Sequence, residues 1–302
     1  MARIAIFVLI AALSSVSLAA DNKTEESNDM FVNVQGKSGK MMIHKKGQTP
    51  SDGLMVSYED LKEVDQGGSD VGMSGGTKHS FNNFATLNFT FTDAVDKQLK
   101  GIDAKYFTFM ANIPDVGAIY TSEVYIFKKN GSFEWGDEEV EVEPGTVKFN
   151  IKIENWKFCG QQVVCQKGGK NETGFFLDST VCFKGKTEGM KKNMGQDKGP
   201  KGKKKAARFA FGDAFVDMPI GIMKDTMMSN ITEPQMTTTA GKTCFILRFP
   251  KFMDKVIFDP LVSINYTSPT ATPMPTTTKA GANPMKWNVA FLLVAFFATL
   301  LQ

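Results

Sequence analysis

The chain has 302 residues, 42% hydrophobic and 22% charged, with 35 Lys and Arg against 32 Asp and Glu. That length holds one large domain or two small ones, and the composition excludes a collagen, a pure disulfide knot and a wholly disordered chain. The formal charge of +3 argues against a generally basic nucleic-acid binder, and two histidines, His44 and His79, leave little for a histidine-built metal site or hydrolase.

Residues 1–20 read as a secretory signal peptide. Arg3 precedes an apolar run over 4–13, and small residues at Ser17 and Ala19 suit cleavage after Ala19 or Ala20. The run is too short for a span, which needs roughly 20 residues. Residues 21–54 form a polar N-terminal segment, with 21–28 expected to be unstructured.

Short strands follow. Residues 86–92 set Leu87, Phe89 and Phe91 on one face, and 105–111 and 123–128 are rich in aromatic and β-branched residues. The cleanest pattern is 146–155. There Val147, Phe149, Ile151 and Ile153 alternate with Lys148, Asn150, Lys152 and Glu154, the period of a half-buried strand. Residues 174–178, 180–184, 208–215 and 243–249 look similar. Asn130-Gly131 suits a tight hairpin, and 58–64 could supply one short helical turn. Residues 67–76 are rich in Gly and Ser and read as a loop. Strands at regular spacing with few helices predict a mainly β protein, an antiparallel β-sandwich over 55–265 filled by the phenylalanines. The alternative is two β subdomains either side of 186–205.

Six Asn-X-Ser/Thr sequons occur, at Asn22, Asn88, Asn130, Asn171, Asn230 and Asn265, which fits a secreted glycoprotein. The four cysteines, Cys159, Cys165, Cys182 and Cys244, suggest two disulfides in an oxidising compartment. Three pairings are possible. Cys159–Cys165 with Cys182–Cys244 is preferred, closing one short and one long loop. The spacings match no zinc pattern.

Two charge clusters stand out. The basic loop 186–208 carries Lys186, Lys191, Lys192, Lys198, Lys201, Lys203, Lys204, Lys205 and Arg208 among glycines. It reads as a patch for polyanionic glycans or anionic surfaces, as a protease-sensitive site, or as a solvated loop with no partner. No aromatic residue interleaves the lysines, so nucleic acid is not expected. The acidic cluster holds Glu134, Asp137, Glu138, Glu139, Glu141 and Glu143. Carboxylates suit a low-affinity calcium contact, but no EF-hand is present, and alternation at 139–143 equally describes the solvent face of a strand. No other cofactor is implied.

The C-terminus is a second processing signal. A Thr/Pro-rich stretch, 266–280, reads as an extended stalk. Residues 281–302 then supply small residues, a polar spacer and the apolar run 289–301, the pattern of a glycolipid-anchor signal with Ala280 or Gly281 as attachment residue. The catalytic motifs Gly-x-Ser-x-Gly, His-Glu-x-x-His, the P-loop and the dinucleotide fingerprint are all missing from the sequence, and no enzyme is expected. Trp135 and Trp156, at strand edges, read as core.

Four stretches together carry a resemblance. They are Met55-Val56-Ser57-Tyr58-Glu59-Asp60-Leu61-Lys62-Glu63-Val64-Asp65, His79-Ser80-Phe81-Asn82-Asn83-Phe84-Ala85, Phe149-Asn150-Ile151-Lys152-Ile153-Glu154-Asn155-Trp156-Lys157-Phe158-Cys159, and Phe258-Asp259-Pro260-Leu261-Val262-Ser263. Over about residues 55–265 the chain resembles the uncharacterised skeletal organic matrix proteins of stony corals and their relatives. The resemblance implies a role in or near the organic matrix where calcium carbonate is deposited. It identifies no active site, and the chain lacks the long Asp runs of mineral-nucleating proteins. The expectation is a non-enzymatic, glycosylated protein on the outer face of the plasma membrane or in the skeletal matrix. The alternative is a cell-surface adhesion or receptor module binding a protein or glycan.

Overall fold

The alternation at 146–155 builds the centre of the molecule. In the computed structural model, which describes residues 21–72, 79–114, 116–167, 169–185, 192–193 and 206–264, Val147–Glu154 is a strand. Val147, Phe149, Ile151 and Ile153 are fully buried along one face. One edge pairs along its whole length with Ala118–Phe127. The other edge meets Lys255–Phe258 and then Leu261–Ile264. The partner changes at Asp259-Pro260, where proline brings no N–H to continue the ladder.

This strand belongs to a 12-stranded sheet. Beyond Ala118–Phe127 lies the long strand Ile102–Ile113, flanked by Thr90–Phe91 and Val95–Leu99. Beyond Leu261–Ile264 lie Ala214–Met218 and Ala207–Phe211, and beyond Lys255–Phe258 lie Gly221–Lys224 and Met227–Asn230. The second sheet has eight strands and is centred on Leu54–Val64, Phe176–Lys184 and Lys242–Pro250. The ladders within both sheets are antiparallel.

The sheets pack face to face through one buried cluster drawn from both. Aromatic rings cross the gap. Tyr58 meets Tyr120 at 4.9 Å and Phe109 at 6.5 Å, Phe183 meets Phe149 at 6.4 Å, and Phe249 meets Phe258 at 6.2 Å. Each such ring, fully buried, contributes about 1.5–3 kcal/mol of transfer free energy. The expected antiparallel sandwich is the observed one.

The structure corrects several local readings. The polar N-terminal segment is ordered, because Lys23–Ser27, Met30–Val34 and Met41–Lys45 extend the smaller sheet. Met30, Val32, Val34, Met41 and Ile43 enter the core. Its first strand is polar because it is an edge strand, hydrogen-bonded on one side only. Asn28 and Asp29, with φ of 51° and 60°, make the left-handed two-residue turn such a hairpin needs. Residues 58–64 form no helical turn. They are the end of Leu54–Val64, held in extended form by a ladder with Phe176–Lys184.

Asn130-Gly131 makes no tight hairpin either. It leads from the large sheet into a separate two-stranded hairpin, Gly131–Trp135 with Glu138–Val142, whose turn uses Gly136 at φ 58°. A Cβ at Gly131 would meet the end of the Ile102 side chain, which would have to shift to admit it. Residues 208–215 divide into the hairpin Ala207–Phe211 and Ala214–Met218. Residues 86–92 keep the buried positions Leu87 and Phe89 but contribute only Thr90–Phe91 to a ladder.

Two subdomains do not form. Strands before and after 186–205 share both sheets, Phe176–Lys184 with Lys242–Pro250, and Val147–Glu154 with Leu261–Ile264. The segments expected to be a signal peptide, a stalk and a C-terminal anchor signal, and most of the basic loop, lie outside the described residues. Among the described residues no helix is long and apolar enough to cross a membrane.

Candidate functional site

Three of the four stretches that carry the resemblance meet at one buried carboxylate. Glu63, near the end of a central strand of the smaller sheet, is fully buried. Its Oε2 accepts from Trp156 Nε1 at 2.9 Å and lies 2.8 Å from His79 Nδ1. Its Oε1 accepts the Cys159 backbone N–H at 2.8 Å. The His79 and Trp156 rings stack at 5.1 Å. A Cβ on Gly174 would overlap the Glu63 carboxylate, so glycine is needed there for close approach. His79 is thus buried within this network. A buried polar group must be partnered, and this carboxyl group has three partners.

This network also fixes the first disulfide. Cys159 is bonded to Cys165, and Cys182 to Cys244, the preferred pairing. Cys182 and Cys244 sit directly opposite each other on neighbouring strands. Among the described residues, His79, Cys159 and Cys165 are the one group of three ligand-type side chains close enough to share an ion. Both sulfurs are consumed by the disulfide, and zinc needs thiolates, so the set does not fit a metal.

The acidic cluster becomes the hairpin over the outer face of the large sheet. Phe133, Val140 and Val142 close a second small core with Ile102, Tyr125, Phe127 and Leu261. Trp135 packs against this core, and its Nε1 donates to the Gly221 carbonyl at 2.9 Å. Glu138 is buried, and its Oε2 accepts from the backbone N–H groups of Ile220 and Gly221. Glu139 is also buried, paired in register with Glu134. Glu134, Asp137, Glu141 and Glu143 are exposed. The six acids therefore divide between structural and surface roles, and three of their oxygens do not converge within reach of one ion.

Beneath the hairpin lies a constellation that periodicity marks as solvent-facing. Lys148 and Asp259 are both 1% exposed. Lys148 Nζ is 2.8 Å from Asp259 Oδ2 and also contacts Asn150 Oδ1. Asn150 Nδ2 donates to Glu123 Oε2 at 3.0 Å. The Nζ lies 5.4 Å from the Trp135 ring and 5.5 Å from that of Tyr125. Burial lowers the Lys148 pKa against the pull of Asp259, and burial raises that of Asp259 against the pull of Lys148. The lost hydration outweighs the mutual attraction, so both groups move towards their neutral forms.

Of the basic loop, Lys191, Lys198, Lys201, Lys203, Lys204 and Lys205 lie outside the described residues, and Lys192 is placed only by its backbone in Lys192–Asn193. Arg208 is held in a two-pronged contact with Asp217 at 2.6 and 2.7 Å, which commits its guanidinium to the fold. The sequon residues Asn22, Asn88, Asn130, Asn171 and Asn230 are all exposed, and Asn265 lies outside the described residues. Ala280 and Gly281 do as well.

The described residues thus form an antiparallel sandwich with buried acids in hydrogen-bonded settings and further acids at its surface. The family model for acidic skeletal organic matrix proteins matches residues 8–301. The chain belongs to that family, the class of protein found in the organic matrix of skeletons.

Proposed function

We propose that this protein is a non-enzymatic, N-glycosylated matrix component, delivered to the site of mineral deposition on a glycolipid anchor. The observation that carries the reading is the family match over nearly the whole chain. Five exposed sequon asparagines support glycosylation, because the transferase needs an accessible side chain. The C-terminal pattern supports an anchor at Ala280 or Gly281 on the outer face of the plasma membrane. Both histidines sit in buried hydrogen-bonded settings, His79 on Glu63 and His44 between Asn33 and the Lys45 carbonyl, which supports a structural role for each.

On this reading the basic loop holds polyanionic matrix, and the exposed rim of the hairpin makes diffuse, low-affinity calcium or mineral contact. The anchor is tested by treating intact cells with a phosphatidylinositol-specific phospholipase. Release of the protein, with a C-terminal peptide ending near Ala280 or Gly281 and carrying ethanolamine, is the expected result. Retention in the membrane with an intact 281–302 segment would overturn the anchor. Replacing Lys203, Lys204 and Lys205 by Ala should lower the salt needed to elute the protein from heparin. Unchanged elution would remove the loop from matrix binding.

A further inference from the structure

We propose that Lys148 and Asp259 join in an intramolecular amide bond, a self-made crosslink between the central strand Val147–Glu154 and the Asp259-Pro260 break that faces it. The geometry is that of a poised pair. Lys148 Nζ lies 2.8 Å from Asp259 Oδ2, and both residues are 99% buried, so neither can turn away to solvent. The separation is an ion-pair distance, and no other described residue donates a hydrogen bond to the Asp259 carboxyl. Holding an amine and a carboxyl in contact in a fixed arrangement removes part of the entropic barrier to their condensation.

The surroundings supply the rest. Amide formation needs a neutral amine as nucleophile and a protonated carboxyl as electrophile. Burial favours both of those forms here. Asn150 fixes the amine through its Oδ1 and is itself held by Glu123. The rings of Trp135 and Tyr125 flank the amine, and the acidic hairpin roofs the site and excludes the water that would oppose condensation.

The step balances without a co-reactant. A proton passes from the ammonium to the carboxylate, giving amine and acid. The Nζ lone pair attacks Asp259 Cγ, and the C–N bond forms. The C–OH bond then breaks, and the oxygen leaves as water, taking the hydroxyl proton and one amine proton. The product carries no charge, which removes the cost of keeping an ion pair in a dry site.

The test is peptide mapping of the full chain from its natural source, reduced, alkylated and freed of N-glycans. The expected result is a branched peptide joining the Lys148 and Asp259 segments, about 18 Da lighter than the two linear peptides together, with no tryptic cleavage after Lys148. Linear peptides with cleavage after Lys148 would overturn the proposal. A second measurement uses recombinant D259N, D259A and K148R. D259N should form the same branched peptide with ammonia as leaving group, whereas D259A and K148R should form none. A branched peptide persisting in K148R would also overturn it.

Discussion

Glu63 shows how much one side chain organises. It gathers Trp156 and the Cys159 backbone from one stretch of chain and His79 from another into a single dry site. Glu63→Ala strands their donors, and should cost about 3–5 kcal/mol in denaturant unfolding. A midpoint equal to wild type would make the network incidental. Asp225 gives a pH signature. Partial burial opposes its ionisation, but the backbone N–H groups of Asp254, Met253 and Lys255 outweigh that and hold its carboxyl below the usual range. A depressed carboxyl adds stability that is present above its unfolded pKa and is lost as pH falls through the lower folded value. Asp225→Asn keeps the left-handed turn at φ 54° and loses the charge. It should lower stability by about 1 kcal/mol at neutral pH, with the gap closing below about pH 4. A gap of full size at pH 3 would contradict this. At this scale the sequence is least legible. Lys148 falls on the polar phase of a clean alternation, and nothing local says that residues 131–142 fold back to cover it.

The strands themselves were more legible, for a physical reason. Where one face meets a core, as at Val147–Glu154, period-two hydrophobicity is imposed by burial and can be read directly. Lys23–Ser27 carries no such pattern, because a polar edge strand is fixed by its neighbour's hydrogen bonds rather than by its own side chains. Residues 58–64 look helical only in isolation, and ladders with Phe176–Lys184 and with Ser80–Phe81 decide otherwise. The disulfides follow loop length. Cys182–Cys244 closes 62 residues and Cys159–Cys165 closes six. Replacing the first pair by serine should cost about 4 kcal/mol and the second about 2 kcal/mol, by the chain-entropy relation. Equal losses would show that local packing rather than chain entropy sets their worth.

Taken whole, the molecule departs from its family's name. The chain is not acidic overall, with 35 basic residues to 32 acidic ones. Its acids are divided, since Glu138 and Glu139 are buried while Glu134, Asp137, Glu141 and Glu143 stay at the surface. The central claim is that the protein ends in the skeleton. The direct measurement is mass spectrometry of skeletal powder from the producing organism, bleached to remove surface protein and then demineralised. The account predicts peptides from the sandwich, spanning residues 81–255, inside the cleaned mineral. Their absence there, with the same peptides abundant in the membrane fraction, would contradict it and leave a resident of the cell surface.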